Sequence, residues 1–285
     1  MEWMTELVRL GGAASIGQLR AAGVRERALS AAVRDGRLVR PRSGRYALPG
    51  VGDPTLTALR AGGRLSCVSA ARTYGLWGGH DERTHLLVPS HAGRAGAADG
   101  RTVRHWGRAE RHGEVWRVSL ADCLRSSVRC ADDETAAAVL DTAISSGQAT
   151  RNGLRRMFAD EPKRSRRLIE LARPGSDSGV ESLVRQRLTA RGHIVEQQLA
   201  VAGVGRVDAR VDGVLYLEID GFEFHADRAS FERDRRRDIA MALRGLPRVR
   251  LSARQVLRSP DAMVATIEEL LGSLEREGFR RASAA

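Results

Sequence analysis

The sequence predicts an α/β, multi-domain chain. Three observations carry that reading: a beginning that alternates helix and turn signals, a late pair of strands around Asp212 and Gly213, and apolar helical runs between them. At about 150 residues per domain, 285 residues leave room for two or three. The expected organisation is a winged helix-turn-helix over 1–52, a mixed α+β middle segment over 53–172, and an α/β/α domain over 173–285. The boundaries come from turn-rich stretches at 48–54 and 173–179. A similar stretch at 91–100 lies between strand-like runs at 86–88 and 102–106 and reads as an internal loop.

In the first region, Ser15 and Gln18 form a capping box ahead of a helix carrying Ile16, Leu19 and Ala22, and Gly23 stops it. A second helix over 24–35 places Ala28, Leu29, Ala32 and Val33 at helical spacing and leaves Arg25, Arg27 and Arg34 on other faces. Gly36 ends it. Residues 37–48 read as two short strands, a wing bearing Arg40, Arg42 and Arg45. Such a helix and wing suit a major groove and its flanking phosphates, so these six arginines are the expected DNA contacts. The same pattern also suits a helical interaction module whose arginines are merely solvated.

The net charge of +12 makes a polyanion the default partner, and an aromatic content of 4% disfavours base stacking on single strands, so duplex DNA is expected. Lys163 is the only lysine, and a G+C-rich coding bias alone would produce that arginine preference. Residues 1–55, 56–172 and 173–285 carry +4, +6 and +2, so the last third is nearly neutral. No uncharged apolar run reaches the roughly 18 residues of a membrane span, and Glu2 and Glu6 interrupt a signal-peptide reading; the expected location is the cytoplasm. Cys67, Cys123 and Cys130 form no CxxC pair, which supports neither structural zinc nor disulfides. His80, His85 and His91 have poor spacing for a metal on one helix and read as surface or structural residues. Helices are expected near 119–130, 133–146 and 163–172, with nothing catalytic in this segment, and Gly203 with Gly205 lacks the remainder of a dinucleotide fingerprint.

Residues 204–220 read as two strands. Val207, Ala209 and Val211 on the first and Leu215, Leu217 and Ile219 on the second occupy one phase; Asp208, Glu218 and Asp220 occupy the other. A two-residue Asp-Gly loop would put Asp208 and Glu218 on opposite faces, against the apolar pattern. A three-residue loop of Val211, Asp212 and Gly213 pairs Arg210 with Val214 and Asp208 with Tyr216, making the two carboxylates diagonal neighbours roughly 7–8 Å apart. Two carboxylates so placed suit magnesium, which takes one or two of them and keeps several waters. They also suit an exposed face paired with Arg206 and Arg210. Upstream, Ser178 and Glu181 open a helix as a capping box. Downstream, His225 stands where a general acid or base is useful, and Arg235 falls in helical phase with Phe231, Ile239 and Ala242, which predicts that it points inward.

Val207-Asp208, then Glu218-Ile219-Asp220-Gly221 with His225, then the charged run 232–238 and residues 245–250, resemble the uncharacterised endonuclease-like family related to very-short-patch-repair endonucleases. That family lies within the PD-(D/E)XK superfamily, and the resemblance covers roughly 178–272. Residues 1–50 look like the winged helix of AbiEi-type antitoxins, and 65–77 look like the segment that follows it. The resemblance implies a restriction-endonuclease-like fold in which Asp208 and Glu218 hold magnesium, with manganese as a substitute, Glu181 assists, and His225 helps activate water. Asp220 stands where the wider superfamily usually has lysine, and an inward Arg235 would partly replace that charge. Ser252 and Gln255 also depart from the pattern, which has an aromatic residue and a glutamate there. The expected activity is magnesium-dependent DNA cleavage. The alternative is an antitoxin-like regulator with a non-catalytic nuclease fold.

Overall fold

The structure is a computed structural model that describes residues 2–90, 100–108, 110, 112–221 and 228–278, without the side chains of 228–231, 233 and 234. It is α/β and divides into two compact units, 1–139 with 157–166, and 140–156 with 167–285. The expected boundary near 52 falls inside the first unit and that near 172 inside the second.

The first unit opens with α1 (Glu2–Arg9), β1 (Ala13–Ser15), α2 (Ile16–Ala21), α3 (Glu26–Arg34), β2 (Val39–Arg42) and β3 (Arg45–Ala47). The Ser15 capping box forms: Gln18 donates its backbone N–H to Ser15 Oγ, and Ser15 N–H is donated to Gln18 Oε1 at 2.9 Å. Gly23 and Gly36, at φ 81° and 68°, supply the left-handed positions after α2 and α3 that a side chain disfavours. Leu7, Leu19, Leu29 and Leu38 join Trp3 and Tyr46 in a buried core beneath the antiparallel sheet β1-β3-β2. Trp116 Nε1–H donates to the Leu10 carbonyl at 2.9 Å and ties this core to the chain that follows.

That following chain forms α4 (Asp53–Ala61), β4 (Arg64–Leu65), α5 (Cys67–Thr73), β5 (Thr84–Val88), β6 (Thr102–Trp106) and α6 (Leu120–Cys130). The sheet order is β4-β5-β6, with β4 antiparallel and β6 parallel to β5, and α5 packs along α6. Three helices, α7 (Asp133–Ser145), α8 (Arg151–Met157) and α9 (Lys163–Leu171), run through the division between the units.

The second unit continues as α10 (Gly179–Ala190), β7 (Val195–Val201), β8 (Gly205–Val211), β9 (Leu215–Asp220), α11 (Arg228–Leu243), β10 (Arg248–Ser252), α12 (Ala253–Arg258) and α13 (Pro260–Arg276). Its sheet runs β10-β9-β8-β7, antiparallel except for the parallel pair β9 and β10. Asp141, fully buried on α7, accepts from Ser182 Oγ at 2.6 Å, Arg185 Nη2 at 2.7 Å and the Arg173 backbone N–H at 2.7 Å. A carboxylate so buried requires such partners, because an uncompensated charge there costs several kcal/mol.

The hairpin corrects one sequence expectation. Arg210 pairs with Tyr216 and Val211 with Leu215, not Arg210 with Val214. Asp212 and Gly213, at φ 51° and 72°, form a tight turn closed by Val214 N–H donating to the Val211 carbonyl at 3.0 Å. Val214 is the extra residue, a bulge that restores the apolar phase. Asp208 and Glu218 still share a face, because the slip is by two residues. As expected, Val207, Ala209, Val211, Leu215 and Leu217 are buried.

Candidate functional site

The carboxylate site is assembled from α10, β8 and β9. The ladder between β8 and β9 ends at Ala209 and Leu217, and Asp208 Oδ2 accepts the Ile219 N–H at 2.8 Å. The Asp208 carboxylate therefore turns toward β9 beside Glu218. Ser178 caps α10 by accepting the Glu181 N–H at 3.2 Å, but the reciprocal half of the expected capping box is absent: Glu181 Oε2 accepts instead from the Asp177 N–H at 3.0 Å and from Gln198 Nε2 at 2.9 Å.

Glu181 and Glu218 are 7% and 5% exposed, which is unusual for carboxylates and decides the electrostatics. Burial raises the Glu181 carboxyl above its ordinary range, and the Asp208 charge pushes the same way against the hydrogen bonds. Asp208 is raised mainly by burial and further by Asp220, although the Ile219 N–H and Arg237 oppose this. Glu218 is raised by burial and by Asp208, even though Arg237 and Arg250 pull it down. Carboxyls raised in this way beside one another form a site that an added cation would stabilise.

Two arginines stand closest to supplying that charge. Arg237 Nη2 lies 2.8 Å from Glu218 Oε1, and Arg250 Nε lies 3.2 Å from Glu218 Oε2. Arg250 also reaches Asp220 Oδ1 at 3.4 Å, because the parallel pairing of β9 and β10 sets it beside Glu218. This corrects the expectation for Arg235, whose side chain is 63% exposed and lies 3.6 Å from Asp238 Oδ2. The charged turn of α11 presents Arg237 to the site, two residues on. His225 lies outside the described residues, and Ser252 with Gln255 forms the capping box of α12.

Gln198 escaped the sequence reading. It sits in the middle of β7 at φ 52°, and the ladder registers Gln197 and Leu199 but skips it. Such a backbone costs a non-glycine residue about 1–3 kcal/mol and persists where surrounding contacts hold it, here the bond to Glu181. No local pattern marks it, because glutamine is not a residue chosen for left-handed positions.

Of the six candidate DNA-contact arginines, Arg25, Arg27, Arg34, Arg40 and Arg42 are exposed along α3 and β2, and Arg25 is the N-cap residue of α3. Arg45 is partly buried; burial first, then Arg64 and Arg42, lower its guanidinium pKa. Among the described residues no helix is long and apolar enough to cross a membrane.

The fold brings together cysteines and histidines that the sequence spacing kept apart. Cys67, His85, His105 and Cys130, drawn from four elements of the first unit, place one ligand atom each within 4.8 Å of all the others. His80 stands outside this group, and His91 lies outside the described residues.

A scan against family models finds no match, and a search of the curated proteins finds none. Among solved structures, the chain is similar to the RV2827C protein from Mycobacterium tuberculosis at 19% identity and a TM-score of 0.30, over 64% of this chain and 78% of that one.

Proposed function

We propose that the chain is a magnesium-dependent DNA endonuclease whose second unit hydrolyses a phosphodiester bond. The observation that carries this reading is the convergence of buried Glu181 and Glu218 with partly buried Asp208 from α10, β9 and β8; burial raises all three, and the Asp208 charge raises the two glutamates further. Their all-oxygen donor set fits magnesium, and manganese equally. Asp208 and Glu218 would hold the ion, which when bound supplies Lewis-acid stabilisation of the charge developing on phosphate. Glu181 fixes the edge of the site through Asp177 and Gln198. Arg237 and Arg250 orient Glu218 and offer guanidinium charge in the place where the wider superfamily has lysine and this chain has Asp220.

Duplex DNA would be engaged by the α1–β3 segment, whose helix, strand, two-helix and hairpin order suits a winged helix, with Arg25, Arg27 and Arg34 at the groove and Arg40, Arg42 and Arg45 at phosphates. A second reading, a non-catalytic antitoxin-like DNA-binding regulator, is favoured by one observation: Glu218 is already ion-paired to two arginines.

The deciding experiment incubates purified protein with plasmid and linear DNA, with magnesium, with manganese and with chelator. The nuclease reading expects metal-dependent cleavage that Asp208→Asn and Glu218→Gln each abolish, with DNA affinity unchanged or higher. No cleavage with any divalent ion would instead support the regulator.

A further inference from the structure

We propose that Cys67, His85, His105 and Cys130 form a tetrahedral zinc site in the first unit. This goes beyond the nuclease reading and does not rest on it. Cys67 is the first residue of α5 and Cys130 the last of α6, and the packing of these helices brings the two thiols together. His85 lies on β5. His105 lies on β6 with Leu87 as its register partner, so the two imidazoles share a sheet face two residues apart.

The spacing is that of ligands around one ion. With bonds of about 2.0–2.1 Å to nitrogen and about 2.3 Å to sulfur, tetrahedral zinc sets two nitrogens about 3.3 Å apart and a nitrogen and a sulfur about 3.6 Å apart. His85 Nδ1 lies 3.3 Å from His105 Nε2 and 3.6 Å from Cys130 Sγ. The other nitrogen of His85, Nε2, lies 3.1 Å from Asp81 Oδ2. A carboxylate there accepts a hydrogen bond from Nε2–H and leaves the Nδ1 lone pair facing the cluster, the arrangement that commonly orients a zinc-bound histidine.

Cys67 adds an independent sign. Its φ is 50°, in a region that residues with a Cβ rarely occupy, and it is held there by its N–H bond to Ser126 Oγ at 3.0 Å and by the Ser66 N–H bond to the His85 carbonyl at 2.9 Å. The strained backbone aims the thiol at its three partners. Zinc takes cysteine as thiolate, so binding releases the thiol protons to water, and two thiolates then neutralise the ion at a place where Cys67 and His85 are buried and Cys130 is exposed. Soft sulfur with imidazole selects zinc over magnesium. Cys130 borders two clefts of ≈ 320 and ≈ 450 Å³, which give an ion its way in. Four protein ligands leave no open position, so the site is structural: it clips β5 and β6 to α5 and α6.

The test expresses the full chain in zinc-supplemented medium and measures metal content per folded protein by plasma emission. The expected result is about one zinc per chain, lost in the Cys67→Ser/Cys130→Ser double variant and kept in Cys123→Ser, whose thiol lies outside the cluster. If the double variant does not fold, His105→Ala, at a partly exposed position, is compared with the unsubstituted protein after cobalt loading. The unsubstituted protein should show thiolate-to-cobalt charge transfer and tetrahedral visible bands, and His105→Ala should weaken the visible bands. Zinc content near zero, zinc retained by a folded double variant, or cobalt spectra without a thiolate band would overturn the proposal.

Discussion

The two clusters of this molecule differ in donor chemistry and in how the chain builds them. The carboxylates of the second unit come from one strand pair and the helix before it, whereas the Cys/His group of the first unit draws one side chain from each of four elements. The first set is hard oxygen, already partly answered by Arg237 and Arg250; the second is sulfur and imidazole at the spacing of tetrahedral ligands. A set displayed by strand alternation is readable from its own segment. One assembled across strands and helices exists only after folding.

Removing each donor set in turn tests whether the two sites are chemically separate. Glu218→Gln or Asp208→Asn should eliminate magnesium-dependent cleavage while leaving zinc content unchanged, as read by nuclease assay and plasma emission on the same preparation. Zinc lost from either variant would show that the two sites are not chemically separate. Next in size is Asp81→Asn, which keeps a hydrogen-bond acceptor for His85 Nε2 but removes its charge. It should weaken zinc binding about 10–100-fold, the usual effect of disturbing a ligand's supporting partner. A competition titration with a chromophoric chelator measures this, and an unchanged affinity would detach Asp81 from the site.

Alternation in β8 and β9 was enough to place Asp208 and Glu218 on one face, because a register error by two residues preserves phase. It did not locate the turn, since Asp212-Gly213 satisfies a two-residue loop locally and the bulge at Val214 repairs the phase afterwards. The capping box at Ser15 was legible because it is entirely local. Arg235 was misassigned because helical phase was counted from Phe231, whereas the packing of α11 presents Arg237 to Glu218. Arg250 depends on the parallel pairing with β9, and His105 on that with β5, neither of which has any signature in its own segment.

Arg237→Ala addresses the ion pairs that separate the nuclease reading from the regulator. Glu218 is almost entirely buried and Arg237 about one-third exposed, so losing this charge-assisted bond should cost about 1–3 kcal/mol in metal-free protein. If Asp208 and Glu218 take magnesium, the ion should stabilise Arg237→Ala more than the unsubstituted chain, because it replaces the missing charge. Chemical denaturation with and without magnesium reads both effects. Equal stabilisation of the two proteins would place the ion elsewhere.

The smallest effect concerns pH. Burial first, and then Asp208, raise the Glu181 carboxyl above its ordinary 4.5, so the folded protein holds that proton more tightly than the unfolded chain does. The contribution is therefore fully present below the unfolded value and disappears as pH rises through the folded one. Asp238 behaves in the opposite sense: its hydrogen bond from Arg248 lowers it, and its contribution is lost as pH falls. A pH profile of the unsubstituted protein alone mixes the two. Glu181→Gln isolates the first, since the amide oxygen can still accept from the Asp177 N–H but carries no charge near Asp208. In metal-free protein this variant should be more stable than the unsubstituted chain at pH 7, with the advantage shrinking as pH falls toward 4.5. Added magnesium should shrink it as well, because a bound cation relieves the same repulsion. Thermal unfolding of both proteins across that range, with and without magnesium, is the measurement. A Glu181→Gln variant less stable at pH 7 would mean that the bond from Gln198 Nε2 outweighs the repulsion, making Glu181 an anchor for β7 and not part of a cation site.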